Sequence, residues 1–328
     1  DILLVDHYTH QLNYGGGRGF RGRKLEGMQQ RMGESLGGQV VLARRIVNIP
    51  DLNDNPKSFV QKTVFLADGF TSYLGIPLIA KGEVLGVLEI LRRVGKEINL
   101  EWMEFIESMA SQVAVAIHNS EMFETLQRTN HDVVQAYDAT IGSWARAMET
   151  RGIEDRGHME RVVWWATALG REMGIPESDL VHLRRGAVLH DIGKLALPDN
   201  ILLKPGVLTG EELIVIRKHP VYAYEWLSSV IYLHPAIDIP YCHHESWDGQ
   251  GYPRGLKGLQ ISLSARIFAL VDSWDALRTD KPYRRAWPRE KAVEYIREMS
   301  GIRYDPQVVE AFSKLSKDDP TAGDLEDL

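Results

Sequence analysis

A single cysteine, Cys242, in 328 residues excludes an intramolecular disulfide and argues against a thiolate-rich structural zinc site. No apolar run reaches the roughly 18 residues that a bilayer crossing needs, so no membrane span is expected. Basic residues are in deficit as well. Thirty-eight Lys plus Arg against 45 Asp plus Glu give a net charge of -7, which lacks the broad positive field of a binder of nucleic-acid polymers. Any recognition of phosphate must therefore be local. There is no signal-peptide pattern: the chain opens at Asp1, without Met, directly on Ile2-Leu3-Leu4-Val5, and reads as N-terminally incomplete. Together these absences predict a soluble protein of the reducing cytoplasm.

The first hundred residues combine short β-like runs with glycine punctuation: Ile2 to Val5, Gln39 to Ile46, Gly75 to Ala80 and Val84 to Leu91. Lys81-Gly82-Glu83 forms a compact turn between the last two, which predicts a hairpin. From about Leu100 the period changes. Trp102, Ile106, Met109, Val113, Ala116, Phe123, Val134, Tyr137, Ile141, Trp144 and Met148 share one track of alternating four- and three-residue steps, and no Pro or Gly occurs from Glu101 to Ile141. A stiff helix able to join two copies in parallel is one reading of that track. A helix packed on its own domain is the other.

Beyond Thr150 the pattern is helical, with periodic segments near His158 to Met173, Asp179 to Ile192, Glu211 to His219, Ser262 to Leu277 and Arg289 to Met299. Thr209 and Glu212 make a capping box for the third. The acidic tail from Lys317 to Leu328 reads as disordered.

Seven of the 11 histidines lie between His158 and His244. His190-Asp191 are consecutive and point about 100° apart on a helix, so they suit contact with two adjacent ions better than chelation of one. His219 precedes Pro220, His243-His244 precede a glycine-rich loop, and Asp272 lies in the apolar run Ile267 to Asp272, where a carboxylate needs a partner. Each residue alone fits a core or capping role. Together they offer imidazole and carboxylate ligands for Mn, Fe or Zn, in a number that exceeds one tetrahedral ion.

His190-Asp191 with Gly193-Lys194, His243-His244-Glu245, Trp247-Asp248-Gly249 and Gly251-Tyr252-Pro253 resemble the HD-GYP family, a branch of the HD phosphohydrolases that hydrolyses cyclic di-GMP. Supporting segments include Asp272 to Leu277 and Pro282-Tyr283-Arg284. The resemblance implies metal ligands at His158, His190, Asp191, His219, His243, His244 and Asp272, with Asp191 bridging, and Glu154 at the place of an additional ligand for a third ion. It further implies two or three divalent ions, iron first and manganese next, and catalytic roles for Asp191 and Lys194. Lys194, Lys281, Arg284 and Arg285 are the candidate substrate-binding cations. Hydrolysis would give linear pGpG and then GMP. In that family the Gly-Tyr-Pro loop is associated with substrate shape and protein partners; packing is the expected use of Tyr252 itself.

The N-terminal part resembles a GAF domain through Gly69 to Leu78 and Gly82 to Leu88. The expected architecture is thus multidomain: an α+β GAF-like sensory domain over 1–118, a dimerising helix over 119–148 and an all-α HD-type catalytic domain over 149–328. Two rivals remain at this stage, an HD nucleotide phosphohydrolase with another substrate and a metal-holding binding module without turnover.

Overall fold

The structure is a computed structural model and describes residues 1–21, 30–54, 59, 61–94, 98–155, 157–280 and 284–316. The chain divides into two compact units, Asp1–Asp132 and Val133–Leu328. Lys281, the Pro282-Tyr283 pair and the acidic tail lie outside the described residues.

The first unit is built on strands β1 (Ile2–Asp6), β2 (Gln11–Gly16), β3 (Gln30–Arg31), β4 (Val47–Ile49), β5 (Ser72–Ala80) and β6 (Glu83–Arg92) with helices α1 (Leu36–Ala43) and α2 (Lys62–Ala67). The strands form one antiparallel sheet in the order β3-β2-β1-β6-β5-β4. The expected hairpin is present. Lys81 and Gly82 both take positive φ, 49° and 86°, the geometry that lets a two-residue turn follow the twist of its strands.

Alternation places Leu74, Ile76 and Leu78 on one face, against Ile106, Ala110 and Ala114 of the long helix α3 (Leu100–Thr150). Tyr73 and Val87 face the other way, onto Leu36, Val40, Phe65 and Phe70. On that second face Glu89 is only 2% exposed; its Oε1 accepts from the Tyr73 hydroxyl at 2.8 Å, and its Oε2 has no hydrogen-bond partner. Burial raises its pKa to about 7 despite the opposing effects of that hydrogen bond and the chain's amino group.

The expected strand over Gln39 to Ile46 is instead the helix α1. Ser35 caps it by accepting from Gly38 N at 2.9 Å, and Arg44 closes it at φ 52°. Val40 and Val41 favour strands by propensity, but the cap and the burial of Leu36 and Val40 on the sheet prevail.

Helix α3 also departs from the single track read in the sequence. Ile106 in the first unit, and Ile141 and Met148 in the second, are buried in their own cores. Met109, Phe123, Tyr137 and Trp144 stay exposed, so only part of the expected seam is open to a partner.

The second unit continues with α4 (His158–Glu172), α5 (Glu177–Leu189), α6 (Asp199–Leu202), α7 (Gly210–Ile216), α8 (His219–Leu227), α9 (Asp238–Cys242), α10 (Leu263–Arg278), α11 (Arg289–Glu298) and α12 (Pro306–Leu315). All five helical segments expected beyond Thr150 are present within a few residues, and the Thr209 and Glu212 side chains form the capping box in full. The core is apolar and aromatic: Trp165 lies 5.8 Å from Trp274, and Phe312 packs at 5.5 and 5.1 Å from the two, tying α4, α10 and α12 together. Among the described residues no helix is long and apolar enough to cross a membrane.

Candidate metal centre

Helix ends bring the candidate ligands together. His158 opens α4 and His219 opens α8; His190 and Asp191 follow the last residue of α5, and His243 and His244 follow α9. Two groups of side chains can each hold a cation, one of Asp191, His219, His243 and His244, the other of Glu154, His158 and His190. The Asp191 carboxylate touches both. Its Oδ2 is 3.1 Å from His190 Nε2, while its Oδ1 is 3.1 Å from His219 Nε2 and 3.8 Å from His243 Nε2. Asp272, on α10, reaches the second group with Oδ1 3.9 Å from His158 Nε2, and Glu154 Oε2 is 3.6 Å from the same nitrogen.

The outer ring nitrogens are already engaged. Nδ1 of His190, His219 and His243 lies 2.8, 2.8 and 2.9 Å from the carbonyl oxygens of Ala187, Ile216 and Ile239, three or four residues back along the chain. A carbonyl only accepts, so each Nδ1 carries the proton and donates, and in a neutral ring Nε2 presents a lone pair inward. The inward atoms are short of donors: Nε2 of His158 and His190 and Oδ1 of Asp191 are buried without a hydrogen-bond partner, and Nε2 of His219 and His243 face one another at 3.4 Å. Lone pairs converging in a buried site call for cations, and a set of imidazoles and carboxylates suits a divalent transition metal. The residues present therefore fit the implied ions. Cys242 does not join them; its thiol is buried with Ile261 and Ala265, and burial pushes its pKa up to about 11.

Asp275, four residues before Thr279 and one helical turn beyond Asp272, was given no role by the sequence. Its Oδ2 lies 2.7 Å from His158 Nδ1, and Arg161 donates Nε to Oδ1 at 2.5 Å and Nη2 to Oδ2 at 2.9 Å. Burial works against that charge, but His158 and Arg161 outweigh it and hold Asp275 below the usual carboxylate range. The i, i+3 spacing of Asp272 and Asp275 was the available signal.

Electrostatics without ions show the demand for positive charge. Burial alone would depress His190, yet Asp191 raises its pKa to about 9; burial and the neighbouring imidazoles lower His243 and His244 well below the ordinary value. Burial and Asp191 lift Glu154 to about 7. Lys194 opposes its own burial through Asp191 and Glu154: its ammonium donates to Glu154 Oε1 at 3.0 Å and to Asp191 Oδ2, and its pKa is raised.

Two motif glycines allow backbones to meet. A Cβ on Gly193 would lie 1.9 Å from the His219 carbonyl oxygen, so Gly193 sets how closely α8 approaches the His190-Asp191 turn. A Cβ on Gly251 would lie 2.3 Å from Ser246 N and 2.5 Å from Glu245 Cα. Glu245, only 3% exposed, accepts from Arg254 N at 2.7 Å and Leu256 N at 2.9 Å and so fastens the glycine-rich loop. Tyr252 packs as the sequence suggested, stacked on His244 with ring centroids 4.7 Å apart.

The candidate substrate cations are less gathered. Arg284 donates to the carbonyls of Leu277, Ala276 and Arg285 at 3.2, 2.7 and 3.1 Å, which closes the end of α10, and Arg285 is exposed.

Residues 121–308 match the HD domain family and residues 9–117 match the GAF domain. The chain belongs to the HD domain family, with a GAF domain preceding the helical HD domain. Among curated relatives, a cyclic di-GMP phosphodiesterase of Thermotoga maritima is 44% identical over 172 residues, covering 52% of this chain and 47% of that protein. A cyclic di-GMP phosphodiesterase of Vibrio cholerae is 33% identical over 266 residues, covering 72% and 54%. A 3'3'-cGAMP-specific phosphodiesterase 2 of Vibrio cholerae is 33% identical over 209 residues, covering 63% and 39%. The matches thus span about half of these relatives' length or less.

Proposed function

We propose that the second unit is an HD-GYP-type phosphodiesterase that hydrolyses cyclic di-GMP to linear pGpG and then to GMP, under the influence of the GAF domain. The observation that carries this reading is the Asp191 carboxylate, which has one oxygen toward each of two groups of inward-facing ligands. His158, His190, Asp191 and Asp272 would hold one ion and Asp191, His219, His243 and His244 the other, with Glu154 available to a third. Two adjacent divalent ions would supply Lewis acidity toward the phosphoryl oxygens and lower the pKa of the attacking water. The protein's own part is to fix the imidazoles through their Nδ1 partners and to keep the ligand cluster buried. Lys194, at its edge, offers an ammonium to a phosphoryl oxygen or to the leaving group. Iron is the first choice of metal and manganese the second by similarity to the HD-GYP family; the ligand set itself accepts several divalent transition metals.

The test is turnover by the metal-loaded chain on cyclic di-GMP, 3'3'-cGAMP and 5'-nucleotides, read by separating the products. Cleavage of the cyclic dinucleotides with the nucleotides left intact supports the reading; the reverse supports a general nucleotide phosphohydrolase, and metal binding without any turnover supports a binding module. The 3'3'-cGAMP-specific relative makes that substrate the second reading. A homodimer through α3 accompanies the proposal: the exposed Met109, Phe123, Tyr137 and Trp144 recur at multiples of seven residues, with Ala116 and Asn130 completing the series, the latter as a register-setting polar position. The Gly-Tyr-Pro loop is proposed as a site for protein partners, and the substrate implies a cytoplasmic location.

A further inference from the structure

Cyclic di-GMP carries two phosphates on opposite sides of one macrocycle, so when one sits at the ligand cluster the other needs a separate cation. Resting on the proposed function, we infer that Arg217 binds the phosphate that is not being cleaved. Arg217 ends α7 two residues before His219, which places it at the rim of the ligand cluster. It is exposed, and its guanidinium lies over the Tyr252 ring with Cζ 5.2 Å from the centroid. The same ring stacks on His244, and its backbone is fastened by the Tyr252 N donation to the His244 carbonyl at 3.2 Å and by the Glu245 clamp. Arg217 is thus held over a ring in a pinned loop rather than free on a flexible stem.

Among the described residues no carboxylate forms an ion pair with Arg217, in contrast to Arg161, Arg185 and Arg266, which pair with Asp275, Asp138 and Asp305. Its donors are open to a ligand. Arg284, one alternative among the described residues, already donates to three carbonyls. A guanidinium also suits a phosphate better than a point charge does, because two parallel N–H groups match two oxygens.

The test compares the metal-loaded wild-type chain with Arg217→Ala and Arg217→Lys on two substrates, cyclic di-GMP and bis(p-nitrophenyl) phosphate, a diester with only one phosphate. Arg217→Ala is expected to raise KM for cyclic di-GMP about tenfold or more, with kcat changed about threefold at most. Selectivity for the dinucleotide over the model diester falls by the same factor, metal content per chain stays at the wild-type level, and Arg217→Lys gives a smaller rise in KM. Unchanged KM in Arg217→Ala overturns the inference, as does equal loss on both substrates or loss of metal, which would mean a structural role. Wild-type protein inert toward cyclic di-GMP would overturn the proposed function first, and the assignment of Arg217 with it.

Discussion

Gly193→Ala is the sharpest probe of the close approach on which the ligand cluster depends. The added methyl would lie 1.9 Å from the His219 carbonyl oxygen, 2.8 Å from Ala223 N and 2.9 Å from the His219 carbonyl carbon. All three are backbone atoms of α8, so no flexible side chain can give way. Non-bonded carbon contacts settle at about 3.5 Å, and the start of α8 must therefore retreat by more than about 1 Å. His219 moves with it, away from Asp191 Oδ1 at 3.1 Å and His243 Nε2 at 3.4 Å. Overpacking of this kind costs about 1–3 kcal/mol of stability, and a misplacement near 1 Å costs on the order of 100-fold in rate. Metal per chain after loading, thermal unfolding and turnover read the three effects. Gly210→Ala is the control, since a Cβ there meets no atom within 4 Å. Full metal content together with turnover within about threefold of wild type would show that Gly193 does not set the site.

Glu245→Ala removes the acceptor of two partly buried hydrogen bonds, from the N–H groups of Arg254 and Leu256, at on the order of 1 kcal/mol each, and should both lower the unfolding temperature and expose the 249–258 loop to limited proteolysis. A variant as stable and as resistant as wild type would remove the clamp from the account. Glu89 sets a pH dependence of the first unit. Because its folded pKa is raised from 4.5 to about 7, its contribution is fully present below about 4.5 and is lost as pH rises through 7, when a buried carboxylate must ionise. Glu89→Gln keeps an oxygen to accept from Tyr73 and should flatten this decline, by on the order of 3 kcal/mol at pH 8; identical pH profiles in denaturant titrations would contradict it. Phe123→Lys, at an exposed position of α3, should convert a dimer to monomers in light scattering while leaving helix content unchanged; an unaltered mass would exclude this face of the helix.

Much of the scaffold was legible because its signals are local. The hairpin needs only a turn that tolerates positive φ, and α7 announces itself by Thr209 and Glu212 three residues apart. Local propensity misled at α1, where Val40 and Val41 look strand-like until the burial on the sheet is known. The 4–3 track in α3 was real as a spacing, but a helix that faces its own core on one side and solvent on another cannot be divided by spacing alone. In the site, ligand types cluster visibly in sequence. The groups around them do not: Asp275 reaches His158 across 117 residues, Glu245 reaches the loop across nine, and Arg217 meets Tyr252 across 35.

The four imidazoles that use Nδ1 in this way are not backed alike. His190, His219 and His243 lean on neutral carbonyls, whereas His158 leans on the anionic Asp275. Hydrogen bonding to a carboxylate makes an imidazole a stronger electron donor, so the half that holds His158 differs from the other in electron supply as well as in its additional carboxylate. If the cluster takes up divalent ions, loading is expected to be uneven, with a half-filled form seen as a separate step in titration calorimetry; a single step would refute it.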